Sequence, residues 1–256
     1  MGRRTSMQTA SGVIFHTLGD GPEAILCHSS LGLGRFLFHR VAPGWARRYT
    51  VVTWDQRGVG DNRHLPVAME DWTGDAAEII EAVGRPCHLL GVSLGSFVMA
   101  RLAAKGDDRI RTVALVSTSL GFTNGDQLVA ARSEAIQRDG MQAYAQKYAD
   151  MTLTEYAGPE VHGNLVQELG EMDPNVYLES LRITYQQDNG SVFAAVRQPT
   201  LVVVGTLDHT TPPADAELAA RVLPNSWLAV IVRAGHLVPL DQSGRLNEVL
   251  EEFWEA

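Results

Sequence analysis

Cysteine is scarce in this chain: Cys27 and Cys87 are the only two among 256 residues. Two thiols so far apart supply neither a disulfide framework nor a C-x-x-C metal or redox pair. Both fall in apolar, strand-like segments, where a free cysteine serves as a small buried hydrophobe. No run rich in Lys or Arg occurs, and the formal net charge is -9 with a pI near 5.3. Such a surface repels phosphate backbones and anionic headgroups, so neither nucleic acid nor a membrane is an expected partner. Long hydrophobic runs are missing as well. Behind two N-terminal arginines stands only "VIF", too short for a signal-peptide core or a membrane span, and a soluble cytoplasmic protein is expected. The opening "MGRRTS" meets the loose N-myristoylation pattern at Gly2, as any Gly-initial chain with Ser or Thr at the sixth position would. There is no H-E-x-x-H spacing, no internal repeat and no low-complexity tract, so no metal and no cofactor are expected.

What is present suits one globular unit with a full core, 45% of residues being hydrophobic and 20% charged. The first forty residues read as β, with turns at "SG" and "GDGP" and then "AILCHSS". Beyond them, "TVVTWD", "CHLLGVS", "TVALVSTS", "TLVVVGT" and "WLAVIV" are near-continuous apolar runs, the habit of strands covered on both faces in a parallel sheet. Helical patterns lie between them, at 70–83, 94–105, 214–222 and 242–255. In the first, Ala76, Ile79, Ile80 and Val83 mark one apolar face. The alternation breaks once: residues 121–190 hold helical stretches and turn signals but no strand, as a functional lid would. The expected organisation is a core of residues 1–120 and 191–256 with a helical cap at 121–190, together one structural unit.

"GVSLG" at 91–95 fits G-x-S-x-G, a pattern that arises by chance about once in ten chains of this length. Context makes it specific, because an apolar strand precedes it and a helical pattern follows. Gly91 and Gly95 make room beside a serine held in a strained turn. The helix that starts there aims its positive end at the site. A serine hydroxyl needs a base, and the base needs an acid to orient it. In the order Ser, acid, His, Asp208 follows the run "TLVVVG" and His236 follows "WLAVIV". Ser93, Asp208 and His236 are therefore the expected catalytic residues. His209 is the nearby rival base, and His88, inside a core strand, reads as structural. An oxyanion requires two N–H donors: Leu94 supplies one, and Ser30 or Leu31, in the glycine-rich "CHSSLGLG", the other.

On "HSSLGLG" (28–34), "WDQRGVGDN" (54–62), "GVSLGS" (91–96), "VVVGTLD" (202–208) and "AGH" (234–236), the chain resembles the α/β-hydrolase superfamily over essentially its whole length. That resemblance implies an α/β fold: a mostly parallel eight-stranded sheet flanked by helices, with a helical cap after strand six. It also implies the Ser93, Asp208, His236 triad, and places Cys27 at the end of one strand and Cys87 at the start of its neighbour, too far apart for a disulfide. Many relatives have His-Gly where this chain has His28-Ser29, and the loop "SSLG" is more similar to that of enol-lactone hydrolases and related small-ester hydrolases. Asn62 stands where the usual serine would, in a segment whose "DQRG" resembles proline iminopeptidases, although their His-Gly-Gly-Pro loop is absent. Asp55 and Arg57 are expected to hold the turn after strand four.

The expected activity is hydrolysis of a small to medium, mostly apolar carboxylic ester or lactone, a small-molecule substrate, through an acyl-enzyme on Ser93. Ser29, Phe122, Tyr144 and Tyr148 are the candidate substrate-binding residues, although most cap aromatics are expected to form the cap's own core. Three alternatives use the same fold. A carbon–carbon bond hydrolase or tailoring enzyme would share the triad. A peptidase would need an acidic amine-binding group such as Glu155, Glu160 or Glu168. A non-enzymatic ligand sensor would bind a small molecule beneath the cap.

Overall fold

The apolar runs build the middle of a sheet. In the computed structural model, which describes residues 4–255, the strands are β1 (Arg4–Gln8), β2 (Ile14–Leu18), β3 (Ala24–His28), β4 (Thr50–Trp54), β5 (Cys87–Val92), β6 (Ile110–Val116), β7 (Thr200–Gly205) and β8 (Ser226–Ile231). Gly2 of the acylation pattern lies outside the described residues. The eight strands run in the order β1-β2-β4-β3-β5-β6-β7-β8. β2 is antiparallel to both β1 and β4, and every later pairing is parallel. The helices are α1 (Ala42–Trp45), α2 (Met69–Val83), α3 (Leu94–Ala104), α4 (Gly125–Thr152), α5 (Pro159–Gly170), α6 (Pro174–Tyr185), α7 (Gly190–Ala195), α8 (Pro213–Val222), α9 (Val238–Asp241) and α10 (Ser243–Glu255). Among the described residues none is long and apolar enough to cross a membrane.

Every residue of β3, β5 and β7 is buried, which is why these strands read as continuous rather than alternating apolar runs. β8 departs from expectation. It is the last strand of the sheet, and Trp227, Leu228 and Val230 are exposed. Its apolar run is not covered on both faces: at the margin of the sheet the helix layers leave Trp227, Leu228 and Val230 in contact with solvent. Cys27 and Cys87 lie on neighbouring strands, Cys27 opposite Leu90 and Cys87 opposite Ala24, and both are free and buried. Burial pushes both thiols up, Cys87 to about 12, so neither is a ready nucleophile.

Between β6 and β7 the chain forms α4 to α7. α4 kinks at Gly140, whose φ of 82° interrupts the helix. α6 starts sharply, with Pro174 in its first turn and Asp173 accepting the N–H groups of Asn175 and Val176. Tyr144, Tyr148, Tyr177 and Tyr185 of these helices are buried, whereas Met151 and Tyr156 are exposed. The helical spacing of Met151 after Tyr144 and Tyr148 therefore does not make it core.

Candidate active site

Three strand-end loops converge. Ser93 joins β5 to α3 with φ 54° and ψ -116°, a strained backbone for a non-glycine residue, and it is half-buried. The two glycines around it are explained by contact. A Cβ on Gly91 would lie 2.2 Å from the Gly95 carbonyl oxygen, and one on Gly95 would lie 2.2 Å from that of His28. Asp208 follows β7, and both its carboxylate oxygens receive a hydrogen bond from His236 Nδ1, at 3.1 and 2.9 Å. The N–H groups of Thr210 and Thr211 donate to Oδ1 at 2.9 Å, and Thr211 Oγ1 donates to Oδ2 at 2.9 Å. Burial alone would raise the Asp208 carboxyl, but His236 and the Thr211 donors outweigh it and hold it below the ordinary carboxylate range. With Nδ1–H committed to the carboxylate, Nε2 is the nitrogen left as a base. Ser93 Oγ and His236 Nε2 are not hydrogen-bonded to each other here; such bonds are often long in unliganded sites.

The oxyanion-loop candidates have the required free donors. Among the described residues, the N–H groups of Ser30, Leu31 and Leu94 donate to no backbone acceptor outside regular elements. The loop carrying Ser30 and Leu31 is held by Gln56, to which the sequence assigned no role, and by Glu168, named there only as an amine-binding candidate. Gln56 Nε2 donates to the carbonyls of Ser30 (2.6 Å) and Leu33 (3.0 Å), and Glu168 of α5 accepts the Gly34 N–H at 2.8 Å. Asp55 accepts the N–H groups of Arg35 and Asp61, while Arg57 forms a two-pronged bond to Asp75 of α2, so both hold the turn as expected. Asn62 is buried and pairs with both backbone groups of Ile14, tying that turn to β2.

The histidine loop is also clamped from afar. The Thr152 carbonyl, at the end of α4, accepts the His236 N–H at 3.0 Å, and Ser117 Oγ donates to the His236 carbonyl at 2.7 Å. Asp241 bridges, its two oxygens accepting the N–H groups of Gly235 and Thr154. Thr152 and Ser117 are distant in sequence, and none of these partners belongs to a motif, so no local signal exposes them.

The four substrate-binding candidates divide. Ser29 is buried and its hydroxyl donates to the Leu33 carbonyl, which makes it a brace within the loop rather than a wall. Tyr144 is bonded to the Tyr177 hydroxyl at 2.8 Å, inside the helical insertion. Tyr148 places its hydroxyl 3.5 Å from Ser30 Oγ, against the oxyanion loop. Phe122 stacks on Tyr185 and lines a cavity of about 530 Å³ that also touches His209 and Thr210, next to Asp208. His209 is exposed, and His88 is buried in β5 with Nδ1 bonded to Thr112 Oγ1. Glu155 and Glu160 are exposed. Among the described residues no group of three His, Cys, Asp or Glu side chains is placed to hold a metal ion.

Known proteins of similar sequence and shape agree on the architecture. A family model described as the alpha/beta hydrolase fold matches residues 23–243. A pimeloyl-[acyl-carrier protein] methyl ester esterase from Aeromonas hydrophila is 27% identical, covering 92% of this chain and 96% of its own. A 3-oxoadipate enol-lactonase from Acinetobacter baylyi is 22% identical over 91% of this chain and 90% of its own. Among solved structures, a thermophilic esterase from Thermogutta terrifontis, with malate bound, superposes with a TM-score of 0.85 at 25% identity, covering 99% of this chain and 98% of that one.

Proposed function

The chain belongs to the alpha/beta hydrolase fold family and is a hydrolase, and on that premise we propose that it cleaves a small to medium carboxylic ester or lactone through an acyl-enzyme on Ser93. The observations that support this are the buried pair of Asp208 and His236, bonded through Nδ1, and the strained backbone of Ser93 at the end of β5. His236 Nε2 takes the proton of Ser93 Oγ as the oxygen attacks the carbonyl carbon. Asp208 holds the ring in the tautomer that permits this and stabilises the imidazolium. The tetrahedral oxyanion is met by the N–H of Leu94 and by that of Ser30 or Leu31. His236 then protonates the leaving alkoxide, and afterwards activates the water that releases the acid.

The helical segment 121–190 acts as the cap over this centre. Support comes from its contacts with the machinery: Tyr148 at Ser30, Glu168 at Gly34 and Thr152 at His236. The esterase and enol-lactonase names carried by similar proteins support the same substrate class. A peptidase is disfavoured, since Glu155 and Glu160 are exposed and Glu168 is engaged with Gly34.

The test is hydrolysis of a panel of p-nitrophenyl esters and simple lactones by the wild type and by Ser93→Ala. Turnover lost in the variant supports the acyl-enzyme. Labelling of Ser93 by a fluorophosphonate without turnover of any ester or lactone points to carbon–carbon cleavage by the same triad. Absence of both labelling and turnover refutes the proposal.

A further inference from the structure

Arg132 is a cation without a counter-ion. It lies on α4, half-buried, and among the described residues no carboxylate comes within ion-pair distance of it, whereas Arg57 has Asp75 and Arg35 has Asp55 and Asp61. Its guanidinium sits over the Tyr185 ring, 4.8 Å from the centroid, and that ring stacks on Phe122 at 4.2 Å. The neutral phenol of Tyr185 is its near polar neighbour. Contact with a ring face engages the flat side of a guanidinium, and beyond the Tyr185 hydroxyl no partner among the described residues takes up its in-plane fork of donors. Leaving a partly desolvated charge in that state is costly, and a structural role would be filled as well by an uncharged side chain.

The fork has somewhere to act. Arg132 lines the cavity of about 530 Å³, and no other Arg or Lys does so among the described residues. His209 and Thr210 also line it, and among the described residues Asp215 is its one carboxylate. Ser93 and His236 do not line this cavity, but Thr210 does, and its N–H is bonded to Asp208. A group held by Arg132 would therefore be a remote part of the substrate and not the bond that is cut. The chain's overall charge of -9 repels an anion, so binding one requires a dedicated local cation. A planar, bidentate donor pair matches a carboxylate.

From this geometry we infer that Arg132 binds a carboxylate of the substrate, and that the preferred substrate is an ester or lactone carrying that second, ionised carboxylate away from the reacting carbonyl. This rests on the ester- or lactone-cleaving function proposed above and narrows it to anionic substrates. Phe122, Tyr185 and Met151 supply apolar wall to the cavity that Arg132 lines.

The experiment compares p-nitrophenyl monoesters of four- to eight-carbon dicarboxylic acids with the neutral p-nitrophenyl alkanoates of matching length, in wild type, Arg132→Gln and Arg132→Lys. The wild type is expected to prefer the anionic ester at one chain length. The ratio of kcat/KM, anionic over neutral, should fall by about 30-fold in Arg132→Gln and be partly restored in Arg132→Lys. A ratio unchanged within about twofold in Arg132→Gln overturns the inference. Calorimetric titration of the corresponding free dicarboxylates separates this outcome from failure of the parent reading. If no ester is cleaved but a dicarboxylate binds wild type and binds Arg132→Gln at least about tenfold more weakly, the carboxylate site stands alone. If no dicarboxylate binds, or inorganic phosphate displaces it more effectively than a second dicarboxylate does, the assignment is wrong.

Discussion

Gln56 Nε2 lies 2.6 Å from the Ser30 carbonyl oxygen and 3.0 Å from that of Leu33, so one buried amide ties together the segment that presents the free N–H groups of Ser30 and Leu31. Gln56→Leu keeps the bulk and removes both donors. The Leu33 carbonyl retains the Ser29 hydroxyl, and the Ser30 carbonyl retains the Leu33 N–H at 3.1 Å. Stability should drop by about 1–3 kcal/mol, the net worth of two lost hydrogen bonds, since each carbonyl keeps one partner. Because the loop's donors act on charge that develops in the transition state, kcat should fall by about 10- to 100-fold with KM little changed. Steady-state kinetics with a p-nitrophenyl ester check this, and a wild-type kcat would remove Gln56 from the oxyanion machinery.

Asp208→Asn tests the tautomer. The asparagine oxygen still accepts the N–H groups of Thr210 and Thr211, so the loop should hold and the melting temperature should move little. The amide nitrogen, however, faces His236 Nδ1 as a donor and drives the proton to Nε2. That nitrogen can then no longer serve as a base, and kcat should fall by about 10⁴. Retention of more than about a tenth of wild-type turnover would show that Asp208 does not orient His236.

Much of this was legible because it depends on local pattern. The apolar runs became strands, and the spacing of Gly91, Ser93 and Gly95 at a strand-to-helix junction has few structural meanings. Given Ser93 as nucleophile, chain order points to Asp208 and His236, and the structure brings those two side chains together. What was hidden depends on contacts between distant segments: Gln56 beneath the oxyanion loop, Thr152 and Asp241 around the histidine loop, and Arg132 facing a cavity. β8 shows the limit from the other side. Trp227, Leu228 and Val230 read as a covered strand, because composition does not distinguish a central strand from an edge strand with apolar residues.

Gly95→Ala and Gly74→Ala form a matched pair on α3 and α2. At Gly95 the new methyl would sit 2.2 Å from the His28 carbonyl oxygen and 2.8 Å from that of Ser29, both backbone atoms at the end of β3. Relief requires moving the helix away from the sheet at the nucleophile, at a cost of about 3 kcal/mol or more. At Gly74 nothing lies within 4 Å of the new methyl. There the substitution should stabilise by about 0.5–1 kcal/mol, since alanine loses less conformational freedom in a helix interior. Chemical denaturation of both variants decides the matter, and similar effects at the two sites would refute the steric account of Gly95.

Glu168 gives the fold a pH dependence that a single substitution isolates. Burial pushes its carboxyl up to about 7, with Asp55 adding to the rise, against the pull of the Gly34 N–H and Arg35. Between about 4.5, its ordinary value, and about 7, the folded chain holds this proton more tightly than the unfolded chain. Stability from Glu168 therefore falls as pH rises through that window. His28 acts in the opposite sense. Burial lowers it from 6.5 to about 4, so the unfolded chain binds the proton more readily there and stability rises with pH up to 6.5. The two slopes oppose each other below 6.5, and above that pH the decline from Glu168 continues. In Glu168→Gln the slope from His28, joined by His88, which burial also lowers from 6.5, should remain, with a rise to about pH 6.5. The stability difference between variant and wild type should thus grow from pH 5 to pH 8 by about 1–3 kcal/mol, allowing for the partial exposure of Glu168. Urea midpoints across that range measure it. Parallel curves for the two proteins would mean that Glu168 ionises as it does in the unfolded chain and that its bond to Gly34 carries no proton-linked strain.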